Sequence, residues 1–236
     1  MRNRDARIAG FLYLLAIIGG VFALLYVPDK IVVSGDAIAT AQNIRVHETL
    51  FRLGMAGDIV VGVIWLAVVL ALYRLLKNVD QFQAHLLLVL GAYIQVPLYF
   101  VNVVNYAAAL SLVTGAGYLS VFTDAQRDAL AMLFLKLHQY QLLASLMFAG
   151  LWLFPFGILV VKSRVLPRIL GYWLIVDGFA WIAICLCGFV TPQYSHVVDT
   201  VTSPIKFAEV AIMLWLLIFG ARRFRRRSDV TPEPTA

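Results

Sequence analysis

Apolar residues run through this chain in six long blocks, at about 8–27, 55–76, 86–113, 130–161, 169–190 and 205–219. Each reaches or approaches the ~20 residues that an α-helix, rising ~1.5 Å per residue, needs to cross ~30 Å of hydrocarbon. Lipid offers no hydrogen bonds to the backbone, so blocks of this length and continuity predict helices rather than loops or open sheet. The pattern predicts an all-α fold: a polytopic membrane helical bundle with six transmembrane helices, forming one domain over residues 1–221. The long polar segment 28–54 reads as an outer loop or cap, and 222–236 as a basic, disordered cytoplasmic tail.

The lengths of the blocks are uneven. Counted from their cytoplasmic ends, the third and fourth remain apolar well beyond the ~20 residues a crossing requires. They are therefore expected to tilt strongly or to project past the outer face and pack together there. Within the outer segment, Ser34-Gly35-Asp36 offers an N-cap for a short helix beginning at Ala37. Ser203-Pro204 is expected to start the sixth helix, Leu166-Pro167-Arg168 the fifth, and Pro155 with Gly157 to kink the fourth. A faint parallel repeat joins Arg7-Ile8-Ala9-Gly10 to Arg168-Ile169-Leu170-Gly171, although shared membrane grammar gives the same pattern.

Composition agrees with the pattern: 62% of residues are hydrophobic and 14% charged, against about 25% charged in soluble domains. The charge then sets orientation. Thirteen Lys and Arg residues fall on the side of the N-terminus: Arg2, Arg4, Arg7, Arg74, Lys77, Lys162, Arg164, Arg168 and the tail arginines 222, 223, 225, 226 and 227. Only Lys30, Arg45, Arg52, Arg127 and Lys206 fall on the other side, and Lys136 sits inside the fourth block. The positive-inside rule then puts both termini in the cytoplasm (N-in/C-in) of a plasma (inner) membrane. The net charge of +6 is thus topology rather than a nucleic-acid footprint, and the lipid bilayer is the first partner. The first block is too long for the core of a signal peptide and reads as an anchor.

Against that background the polar residues inside the blocks carry the information, because each is expensive in lipid. Gly91, Gln95, Leu98, Asn102, Asn105 and Ala109 form one stripe at helical spacing on the third helix; Phe134, His138, Gln141, Ser145 and Ala149 form another on the fourth. Gly54, Asp58, Gly62 and Trp65 line up on the second, and Lys206 and Glu209 stand one turn apart on the sixth. Facing one another, these stripes would line an outward-opening polar pocket whose candidate ligand-binding residues are Asp58, Asn102, Asn105, His138, Gln141, Lys206 and Glu209. Such stripes also serve simply as hydrogen-bonded seams between helices. Arg45, Glu48 and Arg52, at i, i+3 and i+7, read as ion pairs on the outer cap. Asp177 has no opposite charge at its own depth.

No HExxH, GxSxG, P-loop or CxxC motif is present, the four histidines are scattered, and no cofactor is named by any spacing. Cys185 and Cys187, two apart on one helix, point in different directions and read as packing residues. Three function classes fit. The first is binding or transport of a small polar ligand or cation through the pocket. The second is an intramembrane enzyme using His138 with Asp58 or Glu209 as an acid–base pair or as metal ligands. The third is an accessory membrane subunit whose protein partners the sequence does not name.

Several short motifs carry a resemblance: Arg7 with Ala9-Gly10 and Tyr13-Leu14, Gly35-Asp36-Ala37, Asn43-Ile44, Glu48 with Leu50-Phe51-Arg52, Asp58, Leu137-His138, Leu166-Pro167-Arg168, and Glu209 with Trp215-Leu216. On these residues the chain resembles the bacterial membrane-protein family catalogued as a domain of unknown function, DUF4386. The resemblance implies a multi-helix inner-membrane protein, supplies no activity, and singles out Glu48, Arg52, Asp58, His138 and Glu209. Gln141 and Asp177 depart from the pattern, and so point to a specialisation of this protein.

Overall fold

The structure is a computed structural model that describes residues 2–221; the tail expected at 222–236 lies outside them. Six helical spans are long and apolar enough to cross a membrane: Asn3–Ile31, Glu48–Leu76, Gln81–Thr114, Asp124–Ser163, Arg168–Val190 and Pro192–Ile218. No strand occurs among the described residues. Each span packs on the next and the sixth returns to the first, so the six form a closed ring in chain order. Large apolar side chains such as Ile18, Leu25, Val63, Val101, Phe179 and Phe189 stay exposed on the outside of the ring. In water that surface would drive aggregation; in a bilayer, lipid covers it.

The third and fourth spans, 34 and 40 residues long, do extend past the others. Their projecting ends are covered by the cap helix Ala37–Val46, which begins where the sequence places it. The Asp36 carboxylate accepts a hydrogen bond from the Ala39 amide at 2.9 Å, and Gly35 takes the left-handed conformation of the turn before it, at φ +82°. Ile44 and Ala41 of the cap pack with Phe51, Tyr106, Val113 and Leu135 into an outer core. A second, inner core gathers Tyr13, Leu72, Trp152, Phe156, Leu174 and Leu216 from five of the spans.

Glycines set how closely the spans approach. Gly150 and Gly157 on the fourth face Gly178 and Gly171 on the fifth, in antiparallel register. A methyl group added at Gly150 would lie 2.5 Å from the Gly178 carbonyl oxygen, and one at Gly157 2.6 Å from that of Gly171. Any side chain would force the two backbones apart, so the seven-residue spacing of small residues fixes this contact. Gly10 makes a similar approach to the backbone at Leu217, closing the ring between first and sixth spans. Gly10 and Gly171, paired by the faint repeat, are thus both close-approach points, although against different neighbours.

Prolines account for the irregular turns. The fourth span is interrupted at Trp152, between Asp124–Leu151 and Leu153–Ser163; Pro155 there lacks the N–H that would bond back one turn. Pro204 acts at a different place from the one expected. Instead of opening the sixth helix, it lies in a turn between Ser195–Thr202 and Phe207–Ile218, and the chain is already helical from Pro192. Without an N–H at 204 the ladder restarts three residues later, which places Lys206 at the start of the last helix and Glu209 in its first turn.

Candidate functional site

Inside the ring lies a cavity of about 350 Å³ lined by residues of all six spans. Tyr13, Trp65 and Trp152 form an aromatic cluster in its wall. Their rings touch edge to face, with centroids 5.4 Å apart for Tyr13–Trp65 and 5.0 Å for Trp65–Trp152. Leu24, Val61, Val96, Lys206 and Val210 also line it. The wall is therefore apolar and aromatic, with few polar groups.

Glu209 is the acid in that wall. The Tyr13 hydroxyl donates to its Oε2, and the Trp181 indole N–H donates to its Oε1 at 3.1 Å. Two donors from two other spans thus fix the carboxylate in the low-dielectric interior. Lys206, one turn away, pairs instead with Asp199 at 2.6 Å and sits 5.5 Å from the centroid of the Trp181 ring. The first turn of the last helix therefore presents an acid to the cavity, while the lysine at its start pairs with a carboxylate of the preceding helix.

Two wide turns shape the wall. The first span opens into a π-helix at Val21–Tyr26, just before Pro28, and the third at Val89–Ile94, just before Pro97. A proline cannot continue the normal ladder, and the extra residue in the turn absorbs the mismatch. Backbone carbonyls are released where they face the interior. Trp65 donates to Gly91 O at 2.9 Å, while the Gln95 amide donates to Leu90 O at 3.0 Å and to Phe148 O at 3.2 Å. Both side chains line the cavity, so these hydrogen bonds both satisfy the backbone and hold the wall.

The other sequence candidates lie elsewhere. Asn102, Asn105, His138 and Gln141 meet along the seam of third and fourth spans. Asn102 donates to His138 O at 3.1 Å, Asn105 to Asn102 at 2.9 Å and to Gln141 at 3.3 Å, and Gln141 to Leu98 O at 2.8 Å. The His138 ring stacks on Tyr106 with centroids 3.7 Å apart, and its Nδ1 lies 3.3 Å from Asn102 O. Asp58 is 1% exposed, neither of its oxygens has a hydrogen-bond partner, and Tyr99 Oη is similarly unmatched. None of Asp58, Asn102, Asn105, His138 or Gln141 lines the cavity that Glu209 and Lys206 line. The stripes face one another in part only: the third meets the fourth, and Glu209 stands apart with Tyr13 and Trp181.

The cap pairs also divide. Glu48 and Arg52 bond at 2.7 Å, but the chain breaks at His47 between the cap helix and the second span, and this turns Arg45 away from them. Arg45 instead reaches Asp128 at 2.5 Å and Val113 O at 3.3 Å, tying the cap to fourth and third spans. Among the described residues no group of three or more His, Cys, Asp or Glu gathers closely enough to hold a metal ion.

A family model described as a domain of unknown function (DUF4386) matches residues 8–220. The chain belongs to the DUF4386 family. No curated protein and no solved structure matches it. Of the positions that the DUF4386 resemblance singles out, Glu209 lies at the cavity, Asp58 and His138 are buried between spans, and Glu48 and Arg52 pair on the cap.

Tyr13, Trp181 and Asp128 are the residues that sequence reasoning missed, whereas Trp65 stood in the stripe of the second span and does line the cavity. Tyr13 stood inside one of the family-like motifs, but nothing local told that its hydroxyl meets an acid 196 positions later. Trp181 lies one turn beyond Asp177, and its partner is on another span. Aromatic residues are common in membrane helices, so only the fold separates a cavity wall from a lipid face.

Proposed function

We propose that this DUF4386 protein binds a small ligand in its central cavity, with Glu209 as the polar anchor, and works as a binding or transport protein of the bacterial plasma membrane. Both termini face the cytoplasm in this reading, which the excess of Lys and Arg on that side supports. The observation that carries it is the enclosure of one cavity, about 350 Å³ in volume, by all six spans, with a hydrogen-bonded carboxylate in its wall. That volume lies at the lower end of the ~300–1,000 Å³ typical of small-molecule pockets. A hydrogen-bonded acid among aromatic walls gives an apolar ligand a fixed orientation. Asp58, another singled-out acid, is buried outside the lining with neither oxygen hydrogen-bonded, and the hydroxyl of Tyr99, which does line the cavity, is likewise unmatched.

Filling the cavity tests the reading. Ala149 lines it, and Ala149→Phe would occupy much of the space without touching Glu209. Native mass spectrometry of protein extracted from its own membrane should find a bound small molecule in the wild type and none in Ala149→Phe of equal thermal stability. The same bound species in both, or none in either, would overturn it.

A further inference from the structure

We propose that the ligand of this cavity is an organic cation: an ammonium or quaternary ammonium group on an apolar body. The inference rests on the cavity being a ligand site and names the chemistry that the site accepts.

The first argument is charge. Both Glu209 oxygens receive hydrogen bonds from uncharged donors, the Tyr13 hydroxyl and the Trp181 indole. Such donors orient a carboxylate and supply no counter-charge. The nearest lysine on its own helix, Lys206, is engaged by Asp199. No ion pair joins any Lys, Arg or His to Glu209 among the described residues, yet the acid stands deep in a membrane bundle. The fifth span brings a second carboxyl rather than a base: Asp177 is fully buried, has no hydrogen-bond partner and interacts electrostatically with both Glu209 and Lys206. The fold has built an anionic anchor and left its positive partner to come from outside.

The second argument is the wall. Tyr13, Trp65, Trp152 and Trp181 all line the cavity. The face of an aromatic ring attracts a cation, tryptophan most strongly, and carboxylate with aromatic walls is the arrangement that holds quaternary ammonium groups. One cation already uses this surface: Lys206 Nζ stands against the Trp181 ring.

The third argument is what the site withholds. An anion would need several free donors, but both hydrogens of the Gln95 amide go to backbone carbonyls, and Trp65 and Trp181 have spent their N–H groups; the Tyr99 hydroxyl is left unmatched, a neutral donor with no counter-charge to give. The remaining lining, Ile17, Leu24, Val61, Val96 and Val210, suits hydrocarbon. A neutral apolar molecule would fit the wall but leave Glu209 with its two neutral donors alone.

The test uses the full chain in lipid nanodiscs, titrated with three probes of similar size, and tryptophan fluorescence and thermal shift as readouts. The probes are benzyltrimethylammonium, 3-phenylpropan-1-ol and 3-phenylpropionate. The cation should bind at least tenfold more tightly than the alcohol, and the anion should not bind. Glu209→Gln should cost the cation tenfold or more and leave the alcohol unchanged. Lys206→Met, which removes a resident positive charge from the lining, should strengthen the cation several-fold. The preference within the wild type decides the question even if Glu209→Gln fails to fold. An alcohol that binds as tightly as the cation would overturn the proposed class and keep the cavity as a ligand site. No binding of any probe, in wild type as in Ala149→Phe, would overturn the ligand site and the class together.

Discussion

Along the seam of third and fourth spans, Asn102, Asn105 and Gln141 spend their hydrogen bonds on one another and on the backbone carbonyls of Leu98 and His138. At the central cavity, Glu209 is held by Tyr13 and Trp181 and still faces open space. Both regions place polar groups where lipid would make them expensive. In the first, the amides answer each other, as helix seams in membranes do, and His138 Nε2 is the seam atom left unmatched. In the second, the acid has neutral hydrogen-bond donors and, among the described residues, no ion-pair partner. A polar residue inside a membrane bundle is therefore informative through what its partners leave undone, not through its presence.

Both regions share the fourth span, which the fifth holds through the glycine contact, so the harshest test is to pry those two apart. A side-chain carbon at Gly178 would stand 2.8 Å from the Gly150 carbonyl oxygen, with Phe154 close behind. Gly178→Leu must then shift backbone against backbone, and it should destabilise the fold by more than ~3 kcal/mol, at or beyond the usual cost of overpacking. Fluorescence-detected size-exclusion chromatography should show an aggregated or absent protein. Gly20→Ala, where an added methyl group meets nothing within 4 Å, is the matched control and should behave as wild type. A monodisperse Gly178→Leu protein would mean that the glycine register does not hold the ring.

The seam itself should respond in stability alone. Asn102→Leu removes the bond to His138 O and leaves the Asn105 amide with Gln141 alone. Interhelical hydrogen bonds in membranes contribute about 0.6 kcal/mol on average and up to ~1.7, so a loss of about 1–2 kcal/mol is expected, with unchanged occupancy of the cavity. Glu209→Gln should show the reverse: little change in melting temperature and a lost ligand. If Asn102→Leu emptied the cavity at unchanged stability, the division between the two regions would be wrong.

How much of this was legible beforehand follows from the range of each signal. Apolar blocks are local, so the six spans, the cap helix starting at Ala37 and the length of the third and fourth spans could all be read from the chain. The stripe Gln95–Leu98–Asn102–Asn105 could also be read, because helical spacing puts those residues on one face, and that face meets the fourth span. Which stripes share one space could not. Asp58 and Glu209 stand at comparable depth, yet whether they share a cavity depends on the order of helices around the ring. The glycine pairs were half visible: Gly150 and Gly157, like Gly171 and Gly178, are each seven apart, a signal that identifies close approach only once antiparallel register is considered. Lys206 was expected beside Glu209 on helical spacing; Asp199, across the turn that Pro204 causes, took it instead.

The smallest expected effect lies on the rim of the bundle, far from both regions, and separates a surface pair from a buried one. Asp80 caps the third span by accepting from the Gln83 amide at 3.1 Å, and it binds Lys162 at 2.7 Å across the end of the fourth. The hydrogen bond from the Lys162 ammonium, helped by that from the Gln83 amide, holds the Asp80 carboxyl below its ordinary range. A depressed folded pKa contributes stability that is fully present above the unfolded value of ~3.9 and is lost as pH falls through the folded one. Asp80→Asn keeps the cap, because asparagine serves there as well as aspartate, and removes the ion pair. The melting-temperature difference between wild type and Asp80→Asn should therefore be small and flat from pH 8 to about 5, shrink as the pH falls below the ordinary carboxylate range, and diminish in high salt. A difference that persisted unchanged in acid would mean that the carboxylate acts through its shape at the cap and not through its charge toward Lys162.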